Sequence, residues 1–206
     1  MSRLGLDFDN TIVSYDSLFH KLAREGGWIP ETLPPSKVLV RDHLRKIGKE
    51  DVFTEMQALV YGARMAEAEA FPGVYDFMRW ARDQGIELFI VSHKTRYPFL
   101  GPRYDLHEAA RKWIEQSLRD EHGPFVEPSN VFFELTKEEK CARLGTLGCT
   151  WFVDDLPEIL AAPGFPNNVE PLLFDPDGHH PESSFPSIRS WADLKRFIAS
   201  KWQPCR

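Results

Sequence analysis

The sequence predicts an α/β fold, with a Rossmann-like doubly wound parallel sheet and a small α-helical cap insertion. Short, continuously apolar runs alternate with segments of helical periodicity, and such runs are typical of parallel strands buried on both faces. Strands that alternate with helices are joined by right-handed crossovers. One long stretch near the N-terminus breaks this alternation and carries helical patterns only. The strand candidates are residues 4–6, 87–91, 130–133, 150–153 and 171–174.

The helices of the core are marked by capping residues. Asp105 is a candidate N-cap, because an Asp side chain accepts hydrogen bonds from the first free N–H groups of a helix. Thr136, followed three residues later by Glu139, has the pattern of a capping box. The segment 163–186 is rich in Pro, Asn, Asp and Gly and is therefore predicted to be mostly loop. The core helices are expected to begin near residues 74, 105, 136 and 190.

The stretch that breaks the alternation lies between the first and second strand candidates. A proline-rich segment, residues 30–35, divides it into helical pieces. We interpret residues 15–70 as a helical cap, and residues 1–14 together with 71–206 as an α/β core domain. The helices of the cap are predicted at residues 16–24, 38–47 and 51–69.

Composition restricts the classes of partner. The chain has 206 residues, a formal net charge of −6 and no apolar run of the length that spans a bilayer. The negative charge argues against nucleic acid as the main partner, and we expect no membrane partner. Three cysteines in no zinc-binding pattern favour reduced thiols in a cytoplasmic protein. They are Cys141, Cys149 and Cys205.

The first strand candidate ends in the most informative motif, Asp7-Phe8-Asp9-Asn10-Thr11. Open α/β sheets bind ligands at the carboxyl ends of their strands. An aspartate there can attack phosphorus to form an aspartyl-phosphate, and a second can act as general acid and then base. Asp7 and Asp9 are the candidates. The structural alternative is a turn in which these side chains bond only the local backbone.

A second pair of carboxylates, Asp154 and Asp155, closes the fourth strand candidate. Two adjacent carboxylates repel each other, and a divalent cation relieves that repulsion. Mg²⁺ prefers hard oxygen ligands and takes one or two carboxylates together with substrate phosphate. Asp7, the backbone carbonyl of Asp9, and Asp154 can supply such ligands. The structural alternative for Asp154 and Asp155 is a helix N-cap.

Two further positions suggest phosphate binding. Ser92, directly followed by His93, comes after the second strand candidate, where a hydroxyl and free backbone N–H groups can hold a phosphate oxygen. A lysine near the start of the helix before the fourth strand can reach the strand ends and pair with phosphoryl oxygens. Lys140 is preferred over Lys137, because its neighbours fit a helix face turned toward the sheet. The structural alternative for Ser92 is a cap at the strand end, and the alternative for the lysine is a solvated position on the surface.

These segments, in this order, resemble the four motifs of the haloacid dehalogenase (HAD) superfamily. The resemblance covers residues 1–13 and 71–174 and implies a magnesium-dependent phosphohydrolase with a HAD-like core. It implies a nucleophile at Asp7, an acid/base at Asp9 and loop support from Thr11. The implied phosphate-binding residues are Thr11, Ser92, His93 and Lys140, and the implied metal ligands are Asp7, Asp9, Asp154 and Asp155. A helical cap directly after the first motif matches one class of the superfamily.

The function predicted from these motifs is a Mg²⁺-dependent phosphomonoesterase acting on a small phosphorylated metabolite, such as a sugar phosphate or a nucleotide. Asp9 favours phosphoryl transfer over dehalogenation, because a halide leaves without a proton. A phosphomutase and a non-catalytic phosphate-binding protein remain alternatives, and the oligomeric state stays open. The constrained loop 95–104 is a better candidate for contact with the leaving group than the cap. The residues that follow Ser92 directly also lie closer to the site by chain geometry, namely His93, Lys94, Arg96 and Tyr97. The cap candidates are His20, Arg41, His43, Arg45, Tyr61 and Arg64.

Overall fold

The computed structural model describes residues 2–201 and gives ten strands and eight α-helices within that range. Cys205 lies outside it. The strands are β1 Arg3–Leu6, β2 Val13–Ser14, β3 Glu69–Ala70, β4 Glu87–His93, β5 Arg119–Asp120, β6 Gly123–Pro124, β7 Val131–Glu134, β8 Trp151–Asp154, β9 Glu170–Phe174 and β10 Ser187–Ile188. The helices are α1 Asp16–Glu25, α2 Lys37–Lys46, α3 Glu50–Ala58, α4 Val74–Asp83, α5 Leu106–Ser117, α6 Lys137–Leu147, α7 Pro157–Leu160 and α8 Trp191–Lys201.

The described residues pack into two compact units. The first comprises the residues up to Ile12, Ala70–Lys94 and those from Ser117 onward, and the second comprises Val13–Glu69 and Thr95–Gln116. The sequence interpretation assigned residues 95–116 to the core, whereas packing groups them with the helical insertion. The division into a core and a cap therefore stays a prediction.

The first unit is built on a six-stranded sheet in the order β10-β9-β8-β1-β4-β7, and every pairing in it is parallel. The five predicted strands are present within one or two residues, which confirms the Rossmann-like α/β fold class. The sixth strand, β10, was not predicted, because two residues at a sheet edge carry no readable periodicity. β5 and β6 form a small antiparallel pair outside this sheet.

One face of the sheet packs against α6. Phe89, Val91 and Phe152 form an apolar cluster with Leu144 of that helix. Gly5 lies opposite Phe89 and Phe152 in the neighbouring strands. A Cβ at Gly5 would lie 2.8 Å from the Phe152 ring. The centre of β1 therefore needs a residue without a side chain.

Trp191, at the start of α8, anchors a second apolar layer. Its ring lies 5.1 Å from that of Phe77 in α4 and 6.1 Å from that of Phe174 in β9. Its indole Nε1 donates a hydrogen bond to the backbone oxygen of Thr11 at 3.2 Å. The same side chain thus fills the layer and holds the loop after β1.

The second unit is helical and has an aromatic centre. The rings of Phe19 and Phe53 stack at 5.1 Å, and Tyr61 meets Phe19 edge to face. The helix predicted over residues 51–69 is wrong in its second half. The chain instead forms a π-helical turn at Leu59–Ala63 and a 3₁₀ turn at Met65–Glu67. No helix among residues 2–201 is long and apolar enough to cross a membrane.

Replacing Trp191 by Ala should destabilise the protein by about 3–5 kcal/mol, because a fully packed aromatic ring is removed. Trp191→Phe should have a smaller effect, since it keeps most of the ring contacts and loses only the hydrogen bond to Thr11. Urea unfolding followed by circular dichroism measures both. Equal losses of unfolding free energy for the two variants would contradict the packing argument.

Candidate active site

The sheet order brings the sequence motifs together. β8, β1 and β4 are neighbours in the sheet, and their carboxyl ends carry Asp154, Asp7 and Ser92. The backbone N–H of Asp7 donates to the oxygen of Val153 at 2.8 Å, which extends the parallel pairing one residue beyond β1. The motifs therefore meet at the sheet edge where open α/β folds bind their ligands.

The loop after β1 turns tightly within the first motif. The N–H of Ile12 donates to the oxygen of Phe8 at 3.1 Å. Asn10 has a φ of 58°, in the left-handed region that Asn tolerates better than most residues. Phe8 is fully buried and packs edge to face against Phe133. A buried ring thus fixes the loop between Asp7 and Asp9.

Lys140 lies between two aspartates. Its Nζ donates to Oδ1 of Asp7 and to Oδ2 of Asp154, each at 2.6 Å. All three side chains are buried. A capping box between Thr136 and Glu139 fixes the start of α6 and hence the position from which Lys140 reaches the sheet.

Lys137, the second candidate, occupies a different environment. Its side chain is exposed, and its Nζ lies 3.5 Å from Glu158. The structure therefore brings Lys140, and not Lys137, to Asp7 and Asp154. The role of Lys140 in binding phosphate stays a prediction.

Burial and mutual charge shift the pKa values of this group. Burial raises the pKa of Asp7 to about 7, with Lys140 opposing the rise and the Asp154 carboxylate adding to it. For Lys140, burial disfavours the ammonium, but Asp154 and Asp7 outweigh it and raise its pKa. The lysine therefore stays charged, while Asp7 needs further positive charge nearby to be fully ionised at neutral pH.

Asp7, Asp154 and Asp155 can together hold a metal ion, because each offers a carboxylate oxygen and these oxygens all lie within 4.8 Å of one another. Asp154 has its Oδ1 fixed by the N–H of Leu156 at 2.9 Å. When all are ionised, these three carboxylates and the Lys140 ammonium together carry a negative charge, which a divalent cation would balance. The carboxylate of Asp9 is not part of this group, and the proposed contribution of its backbone carbonyl stays a prediction.

Asp9 pairs with Lys94, which the sequence predicted to lie near the site but did not connect with Asp9. Nζ of Lys94 donates to both carboxylate oxygens of Asp9, at 2.9 and 2.8 Å. Lys94 is the second residue after Ser92, and residues two apart on a strand point to the same face. Continuing the alternation of strand side chains one residue past β4 would have placed Lys94 on the same face as Ser92.

Two hydroxyls at the site are buried without a partner. Within residues 2–201, the side-chain oxygens of Thr11 and Ser92 are the buried side-chain polar atoms that make no hydrogen bond. Such atoms are destabilising by about 1–3 kcal/mol each unless a ligand or water satisfies them. The ring of His93 instead meets the backbone oxygen of Leu135 at 3.1 Å. A role of His93 in binding phosphate stays a prediction.

Most side chains predicted for substrate recognition are engaged locally. Arg64 pairs with Glu25 and Glu67, and Arg45 pairs with Glu50 at 2.8 Å. Arg41 pairs with Asp42, and the ring of His20 contacts the Leu33 carbonyl. Tyr61 packs in the aromatic cluster. These contacts stabilise the helical unit, and substrate recognition by these residues and His43 stays a prediction.

Replacing Lys140 by Met should lower the free energy of unfolding by about 3–5 kcal/mol in metal-free buffer, because it leaves two buried carboxylates without their counter-ion. Mg²⁺ should restore part of that loss if the carboxylates bind it. Thermal unfolding with EDTA and with Mg²⁺ measures both effects. Lys137→Met is the matched control and should change stability little in either buffer. A Lys140→Met protein as stable as wild type in EDTA would contradict the buried ion-pair argument.

Comparison with solved structures identifies the fold. A protein from Clostridium acetobutylicum named as a predicted phosphatase is 13% identical, with a TM-score of 0.58 over 97% of this chain and 98% of that one. The HAD hydrolase YfnB of Bacillus subtilis, bound to magnesium, is 14% identical, with a TM-score of 0.54 over 96% and 98%. The L-2-haloacid dehalogenase RSc1362 is 15% identical, with a TM-score of 0.55 over 97% and 99%.

No protein-family model matches the sequence, and no curated protein matches it. At identities of 10–15%, the structural likeness bears on the fold alone. Hydrolases and dehalogenases named for the HAD superfamily share this arrangement over nearly their full length. The chain therefore has the fold of the haloacid dehalogenase superfamily.

Proposed function

We propose that the protein is a Mg²⁺-dependent phosphomonoesterase that acts on a small phosphorylated metabolite through an aspartyl-phosphate intermediate. The observation that carries this proposal is the buried group of Asp7, Lys140 and Asp154, with Asp155 beside it. It joins a carboxylate able to act as nucleophile, a cation for phosphoryl oxygens and a set of oxygen ligands for a metal.

Asp7 is the proposed nucleophile. Lys140 holds Oδ1, and among the described residues no hydrogen bond to Oδ2 is found. A carboxylate oxygen of Asp7 attacks phosphorus, a phosphorus–oxygen bond to Asp7 forms, and the bond to the leaving-group oxygen breaks. Water then attacks the aspartyl-phosphate, and cleavage of the new bond restores the Asp7 carboxylate.

Asp9 is the proposed acid and base. It gives a proton to the leaving-group oxygen in the first step and takes a proton from the attacking water in the second. Its side chain is 24% exposed, so it is accessible to both. A halide leaves without a proton, so an acid at this position favours phosphate esters over haloacids as substrates. This argument favours a phosphatase although dehalogenases are among the structural neighbours.

Asp7, Asp154 and Asp155 are the residues that would hold the metal ion, with the backbone carbonyl of Asp9 as a further ligand. An all-oxygen set of this kind suits Mg²⁺, and the magnesium-bound neighbour from Bacillus subtilis is consistent with it. A bound ion would supply positive charge that favours ionised Asp7 and stabilises the phosphoryl group.

The hydroxyls of Thr11 and Ser92 are the proposed phosphoryl ligands from the loop after β1 and from β4. Both are buried and lack a hydrogen-bond partner, and a hydroxyl can donate to a phosphoryl oxygen. Lys140 would add charge. For His93 only its backbone is retained in the proposal, because its ring is turned to Leu135. Neither nucleic acid nor a membrane surface is proposed as a partner.

Wild-type protein should release phosphate from p-nitrophenyl phosphate in the presence of Mg²⁺ and lose this activity with EDTA. Asp7→Asn should remove nearly all turnover, because no nucleophile remains. Asp9→Asn should lower kcat by roughly 10²–10⁴-fold, the usual range for a positioned acid and base, because hydrolysis of the aspartyl-phosphate still needs Asp9 as its base. Steady-state release of p-nitrophenolate measures all three.

Asp177→Asn is the matched control for these substitutions. Asp177 is an exposed carboxylate in the turn after β9 and should be dispensable. Turnover by Asp7→Asn at the wild-type rate, or activity unaffected by EDTA, would contradict the proposed mechanism. A panel of sugar phosphates and nucleotides, assayed for released phosphate, would then identify the substrate class.

A further inference from the structure

The pair formed by Lys94 and Asp9 is unequal in burial. The side chain of Lys94 is 4% exposed, whereas that of Asp9 is 24% exposed. Nζ of Lys94 contacts both carboxylate oxygens at nearly equal distances. The buried partner is therefore the cation, and the partner that keeps access to solvent and ligand is the carboxylate.

Lys94 is held on a rigid part of the fold. It directly follows β4, and its backbone N–H donates to the oxygen of Glu134 at 2.9 Å, which continues the pairing with β7. Its Nζ lies 5.7 Å from the centre of the buried Phe8 ring. Asp9 lies in the loop after β1, whose backbone is fixed by the buried ring of Phe8. A fixed ammonium thus meets a carboxylate whose orientation the loop backbone alone does not determine.

The contact leaves Asp9 able to react. Each carboxylate oxygen has two acceptor positions, so an oxygen that accepts from Lys94 can still face a leaving group or a water molecule. The two lysines therefore serve different aspartates. Lys140 contacts Asp7 and Asp154, and Lys94 contacts Asp9.

We propose that Lys94 is the positioning residue for Asp9 and orients its carboxylate toward the leaving-group oxygen. This inference rests on the proposed phosphatase function. In this role Lys94 only donates hydrogen bonds, and the proton that moves is the one on Asp9. Removal of Lys94 should therefore mimic a partial loss of Asp9 rather than a loss of Asp7.

The test compares two substrates of similar size, p-nitrophenyl phosphate and phenyl phosphate. p-Nitrophenolate leaves readily as an anion, whereas the more basic phenolate depends more on a proton from Asp9. Lys94→Met should lower kcat/KM for phenyl phosphate by roughly 10–100-fold and for p-nitrophenyl phosphate by less than about threefold. Asp9→Asn should show the same preference, and the double variant should be no worse than Asp9→Asn alone.

Arg82→Met is the matched control. Arg82 makes a two-pronged ion pair with Asp120, at 3.0 and 2.6 Å, and neither residue belongs to the candidate site. Its loss should leave the ratio of the two kcat/KM values unchanged. Circular dichroism and melting temperature check each variant, and Lys94→Gln replaces Lys94→Met in the same test if the latter does not fold.

The inference would be overturned if Lys94→Met lowered kcat/KM equally for the two substrates. It would also be overturned if adding Lys94→Met to Asp9→Asn lowered kcat/KM by as much as Lys94→Met lowers it in the wild-type protein. In that case the proposed function stands, because the wild-type protein still hydrolyses both substrates with Asp7 as the nucleophile. Absence of phosphate release by wild type in Mg²⁺ would instead overturn the proposed function, and the positioning role would fall with it.

Discussion

The ammonium of Lys140, buried between Asp7 and Asp154, is the interaction on which the rest of the site depends. Two carboxylates this close cannot both be ionised in an apolar environment without a cation. Lys140 supplies that charge from α6, and it can do so only because β8 and β1 are adjacent and the capping box fixes where α6 begins. The electrostatics of the site therefore depend on both the order of the strands and the position at which α6 begins.

The two aspartates of the first motif have different electrostatic surroundings. Asp7 and Asp9 are two residues apart in sequence but pair with lysines from different elements, α6 and the end of β4. Each aspartate consequently has its own electrostatic environment. Two similar side chains with different surroundings can take different chemical roles, one as nucleophile and the other as acid and base.

The sequence predicted the parts of this arrangement that local patterns determine. Asp7 and Asp154 were found because each ends an apolar strand, and Lys140 because its neighbours fit a helix face turned toward the sheet. Lys94 was placed near the site because it follows Ser92, but its pairing with Asp9 was not predicted. Burial of a lysine depends on partners distant in sequence, which local patterns do not report.

Long-range packing explains why the helix predicted over residues 51–69 ends early. α3 ends at Ala58 rather than continuing to residue 69, and the π-helical turn that follows contains Gly62. A Cβ at Gly62 would lie 2.7 Å from that of Tyr104, a residue of the second stretch that packs into the same unit. The helical periodicity of residues 51–69 cannot report this contact, because Tyr104 lies outside that segment. The same contact belongs to the packing that groups residues 95–116 with the insertion, and the predicted division into a core and a cap stays a prediction.

Charge balance links the two lysines to ligand binding. With all groups ionised, Asp7, Asp9, Asp154 and Asp155 carry two more negative charges than Lys94 and Lys140 neutralise. Such a site repels a phosphate ester until a divalent cation joins it, and it is close to neutral once the cation is present. The lysines alone therefore make a site suited to a cation, and the cation makes it suited to a phosphate. In the proposed function, metal and substrate would accordingly bind with positive cooperativity, because each lowers the electrostatic free energy of adding the other.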